Sequence, residues 1–255
     1  KILFTLHSSL STLIEGLRSQ RSLREVFNSQ LCFIMKEQGR GHGGQQLLRL
    51  IAQGEHEQQD FKHQVSDARK IARSIAAFAN HRGGRLLVGV KDNGNIAGIR
   101  TDEEIYMVEQ AAQMYCRPEQ PLTFEVYRID GKSVLRVNIA EAQVKPVEAP
   151  DENGRWRVYY RVADENILAS AVHIEVMRHS AMGEAADEER PTLSFTAAEQ
   201  SLLEYLRTHG GITLTGYTRL AHISRAAAQE SVVALCDMGV VRLEYHDGTC
   251  TIIEC

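Results

Sequence analysis

The chain has 255 residues and a formal net charge of −4, with 43% apolar and 24% charged residues, a make-up that excludes a disordered chain. No apolar run approaches the roughly 20 residues that span a bilayer. Five scattered cysteines without a C-x-x-C pair argue against a disulfide framework or zinc cluster and suit reduced thiols in the cytoplasm, while the acidic balance excludes charge-driven coating of nucleic acid by the whole chain.

Residues 1–34 stand apart, with Leu10, Leu13, Ile14 and Leu17 set among Arg18, Arg21 and Arg24 ahead of Met35. An appended helix, translated sequence upstream of Met35 and an amphipathic targeting signal all fit this pattern. The glycines of residues 39–44 read as a flexible joint, so residues 1–44 form an N-terminal extension. Leu47, Leu48 and Ile51 then mark one face of a short helix that stops at Gly54. Residues 55–65 are polar and extended.

A helix is predicted over 67–79, with Ala68, Ile71, Ile75 and Phe78 on one stripe and Arg69, Lys70 and Arg73 off it. Gly83 and Gly84 end it. Residues 85–90 (RLLVGV) read as a buried strand that turns at Asp92-Asn93-Gly94 into 95–99. Thr101 and Glu104 form a capping box for a helix with Ile105, Val108, Ala112 and Tyr115 inward. Strands follow at 122–129, 133–139 and 156–162 (WRVYYRV), the last with alternating character.

Residues 181–192 combine small and acidic residues with Pro191 and read as a linker between a domain at 45–180 and one at 193–255. The second domain opens with a helix over 197–209, then a strand at 212–214, a short helix at 216–221, and a Ser224-capped helix to about Met238. A hairpin of 240–245 and 249–253 closes it. That order is the winged-helix variant of the helix-turn-helix, and the whole is an α+β fold. From residue 191 onward four arginines face seven acidic residues, a net of −3. Only Arg225 and Gln229 in its second long helix are placed to reach bases or phosphates.

Residues 54–170 carry the segments EHEQQDFK from Glu55, IAAFANHRGG from Ile75, LVGVKDNG from Leu87, IAGI from Ile96 and YYRV from Tyr159. In order and spacing they resemble the Schlafen-type Alba-like domain, also described as a divergent AAA module. The chain lacks the G-x-x-x-x-G-K-[ST] loop that ATP use would call for. With a winged helix behind such a domain, the chain resembles bacterial transcriptional regulators. In the nuclease branch of that family three acidic residues act together, and the resemblance places them on Glu55, Asp60 and Asp92. Three carboxylates can hold Mg²⁺ or Mn²⁺ against a phosphodiester. Glu55 and Asp60 lie on opposite faces of a regular strand, so a bend is required to join them.

Basic residues form the other candidate site. Arg69, Lys70 and Arg73 lie on the helix, Arg82, Arg85 and Lys91 at its end and on the next strand, and Arg157 and Arg161 alternate with aromatic residues. Cations beside rings can track a phosphate backbone and stack bases. Three readings follow: a homodimeric DNA- or RNA-binding regulator needing no cofactor, a metal-dependent endoribonuclease, and a protein-binding adaptor.

Overall fold

The computed structural model describes residues 36–37, 42–100, 103–182 and 195–255. Residues 1–35, Thr101 of the expected capping box and residues 183–192 of the expected linker lie outside them.

A five-stranded sheet organises the first part of the chain. Its order is β1 (Lys36–Glu37), β4 (Leu122–Ile129), β5 (Lys132–Ile139), β3 (Gly84–Val88) and β2 (Gln59–Lys62). The β1–β4 and β3–β2 pairs are parallel and the rest antiparallel. Alternation along the strands splits the side chains between two faces. Leu86, Val88, Val126 and Leu135 meet α2 (Ala68–Asn80) and α3 (Glu103–Met114), while Phe61, Leu87, Tyr127 and Val134 meet α1 (His42–Ala52).

Helix α2 is the centre of this unit. Asp67 caps its start by accepting the Arg69 amide at 2.9 Å. From Ser74 to Asn80 every residue is buried, because a second sheet, β6 (Glu148–Pro150), β7 (Trp156–Val162) and β8 (Glu165–Leu168), lies on the side away from the first. A helix apolar all round belongs between two layers. Asn80 stitches them: its side chain bonds the Val147 amide (2.7 Å) and the Val147 and Tyr159 carbonyls (2.8 Å each).

The second core belongs to α5 (Ala197–His209), β9 (Gly211–Thr213), α6 (Leu214–Ala221), α7 (Arg225–Asp237), β10 (Val241–His246) and β11 (Thr249–Glu254), with strand order β10-β11-β9. Thr196 and Glu199 form a capping box on α5, and Ser224 caps α7. Helix α4 (Ala171–Met182) joins this core: Val172 is buried in it, Val176 packs against it, and α4 lies along α7.

Several expectations change. Gly43 and Gly44 are not a joint but part of α1. The return strand at 95–99 is reduced to one bridge, Val90 to Ile96, since Ala97 and Gly98 both donate to the Gly89 carbonyl. Strands β1, β6 and β8 and helix α4 were not anticipated by the periodicity. Helix α4, which starts within the domain expected at 45–180, packs on the later core.

Candidate nucleic-acid interface

Two groups of side chains need a chemical account. The first gathers around the turn between β6 and β7. Asp151 holds that turn, its Oδ1 accepting the Asn153 amide at 2.8 Å and the Arg155 amide at 2.9 Å. The Arg155 amide is the main reason its carboxyl titrates below the ordinary range. Arg73 reaches across from α2, donating Nε to the Pro150 carbonyl at 3.0 Å and lying 3.7 Å from Glu152. Arg157 lies 3.5 Å from Asp151. Both are therefore partly neutralised.

Arg117, just past α3, exchanges backbone hydrogen bonds with Glu148 of β6 at 2.9 and 2.7 Å. Its guanidinium lies 3.7 Å from the centroid of the Trp156 ring. Arg69, on the first turn of α2, lies 5.7 Å from the centroid of Tyr115. These contacts join the start of α2, the end of α3 and the β6–β7 hairpin into one surface. Arg69, Lys70, Arg117 and Arg155 are exposed there, and none has an ion-pair partner among the described residues.

The second group is the carboxylate pair. His56 and Gln59 exchange backbone hydrogen bonds at 2.9 and 3.0 Å, and that tight turn supplies the bend required to join Glu55 with Asp60. Glu55 Oε1 accepts the Phe61 amide at 2.8 Å. Burial, then a hydrogen bond with Asp60, pushes the Glu55 pKa up to about 6. Asp60 is 3% exposed. Its Oδ2 has no aligned hydrogen-bond donor, but the Lys62 ammonium sits 2.6 Å away and Arg161 Nη2 lies 3.7 Å from Oδ1. This is charge compensation for a buried ion.

Asp92 does not join them. It is an exposed turn residue beyond β3, and among the described residues no three His, Cys, Asp or Glu side chains come together to hold a metal ion. The expected three-carboxylate Mg²⁺ or Mn²⁺ site is not formed, because the β3 turn carries Asp92 away from the turn that joins the other two.

The remaining basic candidates scatter. Arg161 is 1% exposed, bonded to Asn166 (3.0 Å) and the Gln59 carbonyl (3.3 Å), with its guanidinium 4.9 Å from the Phe78 ring centroid. It is a core residue, since this face of β7 rests on α2. Arg85 donates to Gln59 and Gln53 at 2.7 Å each. Arg82 and Lys91 are exposed, but Arg82 follows the other end of α2, about 20 Å from Arg69 at 1.5 Å per residue.

Arg225 and Gln229, four residues apart on α7, line different hollows. Arg225 lines a cavity of about 280 Å³ with Ser170, Thr213, Thr249 and Cys250. Gln229 lines a groove of about 410 Å³ with Glu175, His179, Glu230 and Asp237, on the side of α7 that α4 flanks. Sequence reasoning missed Tyr115, Arg117 and Arg155. Tyr115 reads as an inner helix position, and no spacing along the chain connects Arg117 to Trp156.

Residues 55–170 match the family described as Schlafen, AlbA_2. Among solved structures, the chain is similar to the DIP2311 protein from Corynebacterium diphtheriae, 17% identical over 76% of this chain and 36% of that one, with a TM-score of 0.43. It is also similar to the N-terminal domain of a RecG-related protein from Nitrosomonas europaea, 18% identical over 58% of this chain and 94% of that one, with a TM-score of 0.36. This chain thus spans little more than a third of the Corynebacterium protein. No curated protein is similar enough to count as a relative.

Proposed function

Because residues 55–170 are a Schlafen AlbA_2 domain, we propose that this protein binds nucleic acid through the cations at the start of α2, Arg117 and the β6–β7 hairpin. The observation that carries the reading is four exposed cations without ion-pair partners among the described residues, two of them set over aromatic rings, on a chain whose net charge is −4. Phosphate contact releases counterions, so affinity falls with salt by a log–log slope of about −0.7 to −0.9 per contact. Replacing Arg69, Lys70 and Arg155 with Ala is expected to flatten that slope by about two units or more, read by anisotropy over a salt series. An unchanged slope would place the binding surface elsewhere.

The C-terminal unit we read as a winged helix used for association, not for reading bases. Its element order supports the first part. The second is supported by the face of α7 that α4 flanks, where Ala226, Gln229, Glu230, Val233 and Asp237 line one groove with Glu175 and His179. In this reading the protein is a homodimeric cytoplasmic regulator whose AlbA_2 domains hold the nucleic acid. The described cysteines are free thiols, as a reducing compartment would keep them. No described helix is long and apolar enough to cross a membrane. Light scattering distinguishes a monomer of 28.6 kDa from twice that mass.

A further inference from the structure

We infer that the Tyr115–Arg117–Trp156 surface stacks unpaired bases, so that this protein takes single-stranded nucleic acid in preference to duplex. The inference rests on the nucleic-acid-binding reading above and adds which part of the ligand is touched.

Phosphates alone would be served by free, mobile cations. Arg117 is not one. Its guanidinium lies 3.7 Å from the centre of the Trp156 ring, the separation of stacked π systems. Its backbone is fixed on both sides by the paired bonds to Glu148. Trp156 is fixed in turn, opposite Pro150 in the β6–β7 register, with Arg73 bonded to that proline's carbonyl. The cation–ring contact is therefore formed before any ligand arrives, and Arg117 stays exposed. A guanidinium stacks on a ring with one face and on a nucleobase with the other. Tyr115, two residues earlier with Arg69 over its ring at 5.7 Å, gives a second partly exposed ring beside the first. Lys70 and Arg155, next in sequence to Arg69 and Trp156, are exposed and can meet phosphates.

A duplex keeps its base faces inside its own stack and offers this surface only phosphates and base edges. An unpaired strand offers the faces. Stacking a base on an aromatic residue is sequence-tolerant, because every base has a π face. The expected ligand is accordingly a single strand of little sequence preference.

The chain has one tryptophan, so its fluorescence reports Trp156 alone. The probes are an oligo(dT) of about a dozen nucleotides, an abasic strand of the same length, and a duplex, each titrated into the full chain. Oligo(dT) should quench the tryptophan and bind about tenfold tighter than either other probe. Arg117→Ala should remove most of that margin, read by anisotropy, and weaken the abasic strand only by the loss of one phosphate contact. Trp156→Phe, which keeps a ring, should retain it.

If oligo(dT) and the abasic strand bind alike without quenching, the bases are not stacked; the inference falls and the phosphate-binding reading stands. Equal quenching by the duplex would overturn the preference for single strands. No binding of any probe would overturn the nucleic-acid reading itself. The fluorescence comparison uses the unaltered protein, so it decides the question even if a variant fails to fold.

Discussion

Glu55 holds its proton to a higher pH than a free glutamate because the 56–59 turn tucks it beside buried Asp60. Burial and that hydrogen bond raise its pKa from 4.5 to about 6. Between those two values the folded chain keeps a proton that the unfolded chain has released. Stability must therefore fall as pH rises through that window. His173 works in the opposite sense. Its Nδ1 lies 2.9 Å from the Tyr245 hydroxyl and its ring packs on Tyr160. Burial first, then Lys145 and His81, lower its pKa from 6.5 to about 4, so stability is lost as pH falls from about 6.5 toward 4. Melting temperatures measured by circular dichroism from pH 4 to 7 should show both. Glu55→Gln should remove the decline on the rising side, and His173→Gln should make the acid limb shallower. Neither effect is expected to move with the other, since the two sites lie in different parts of the fold.

At the scale of elements, the end of α2 sets the geometry of the whole first unit. Gly83 has φ +67°, and a Cβ there would lie 2.6 Å from the Ile139 carbonyl oxygen. That neighbour is backbone and cannot swing aside. Gly83→Ala combines left-handed strain with this clash, and is expected to cost about 2–4 kcal/mol in a denaturant titration. The segment that carries the family resemblance, residues 75–84, turns out to be scaffold: Phe78 beneath Arg161, Asn80 bridging layers, Gly83 and Gly84 making room for a strand. Elements with local signals were legible. The helix at 197–209 and the strand at 156–162 lie where caps and alternation put them. β6 has three residues, one of them a proline, β8 four residues that are half polar, and α4 an inward face that mixes Val172 and Met177 with His173; such pieces are stabilised by neighbours, which sequence does not display. The proposed binding surface was half legible for the same reason. Arg69, Lys70 and Arg157 stand out as cations near rings, but Arg117 meets Trp156 only once α3 and β7 are packed.

For the molecule as a whole, the course of α4 matters most. Helices α4 and α5 both contribute to the second core, Val172 from one and Leu202, Leu203 and Leu206 from the other. Ser170, the last residue of the AlbA_2 match, donates its amide to the Tyr245 hydroxyl at 3.0 Å, and Tyr245 also packs near Tyr160 of β7. We therefore propose that the boundary lies at Ser170. The C-terminal module is thus assembled from two pieces of chain that need not be covalently joined. A nick between Met182 and Phe195 should leave both fragments in one peak on gel filtration, parting only in denaturant. Residues 195–255 made alone would leave bare the apolar surface that Val172 and Val176 cover, and should aggregate. Supplying residues 1–182 as a separate polypeptide should restore a soluble complex, the behaviour of a split protein whose halves complement each other. Fragments that separate cleanly and stay soluble would return the boundary to the 183–194 stretch.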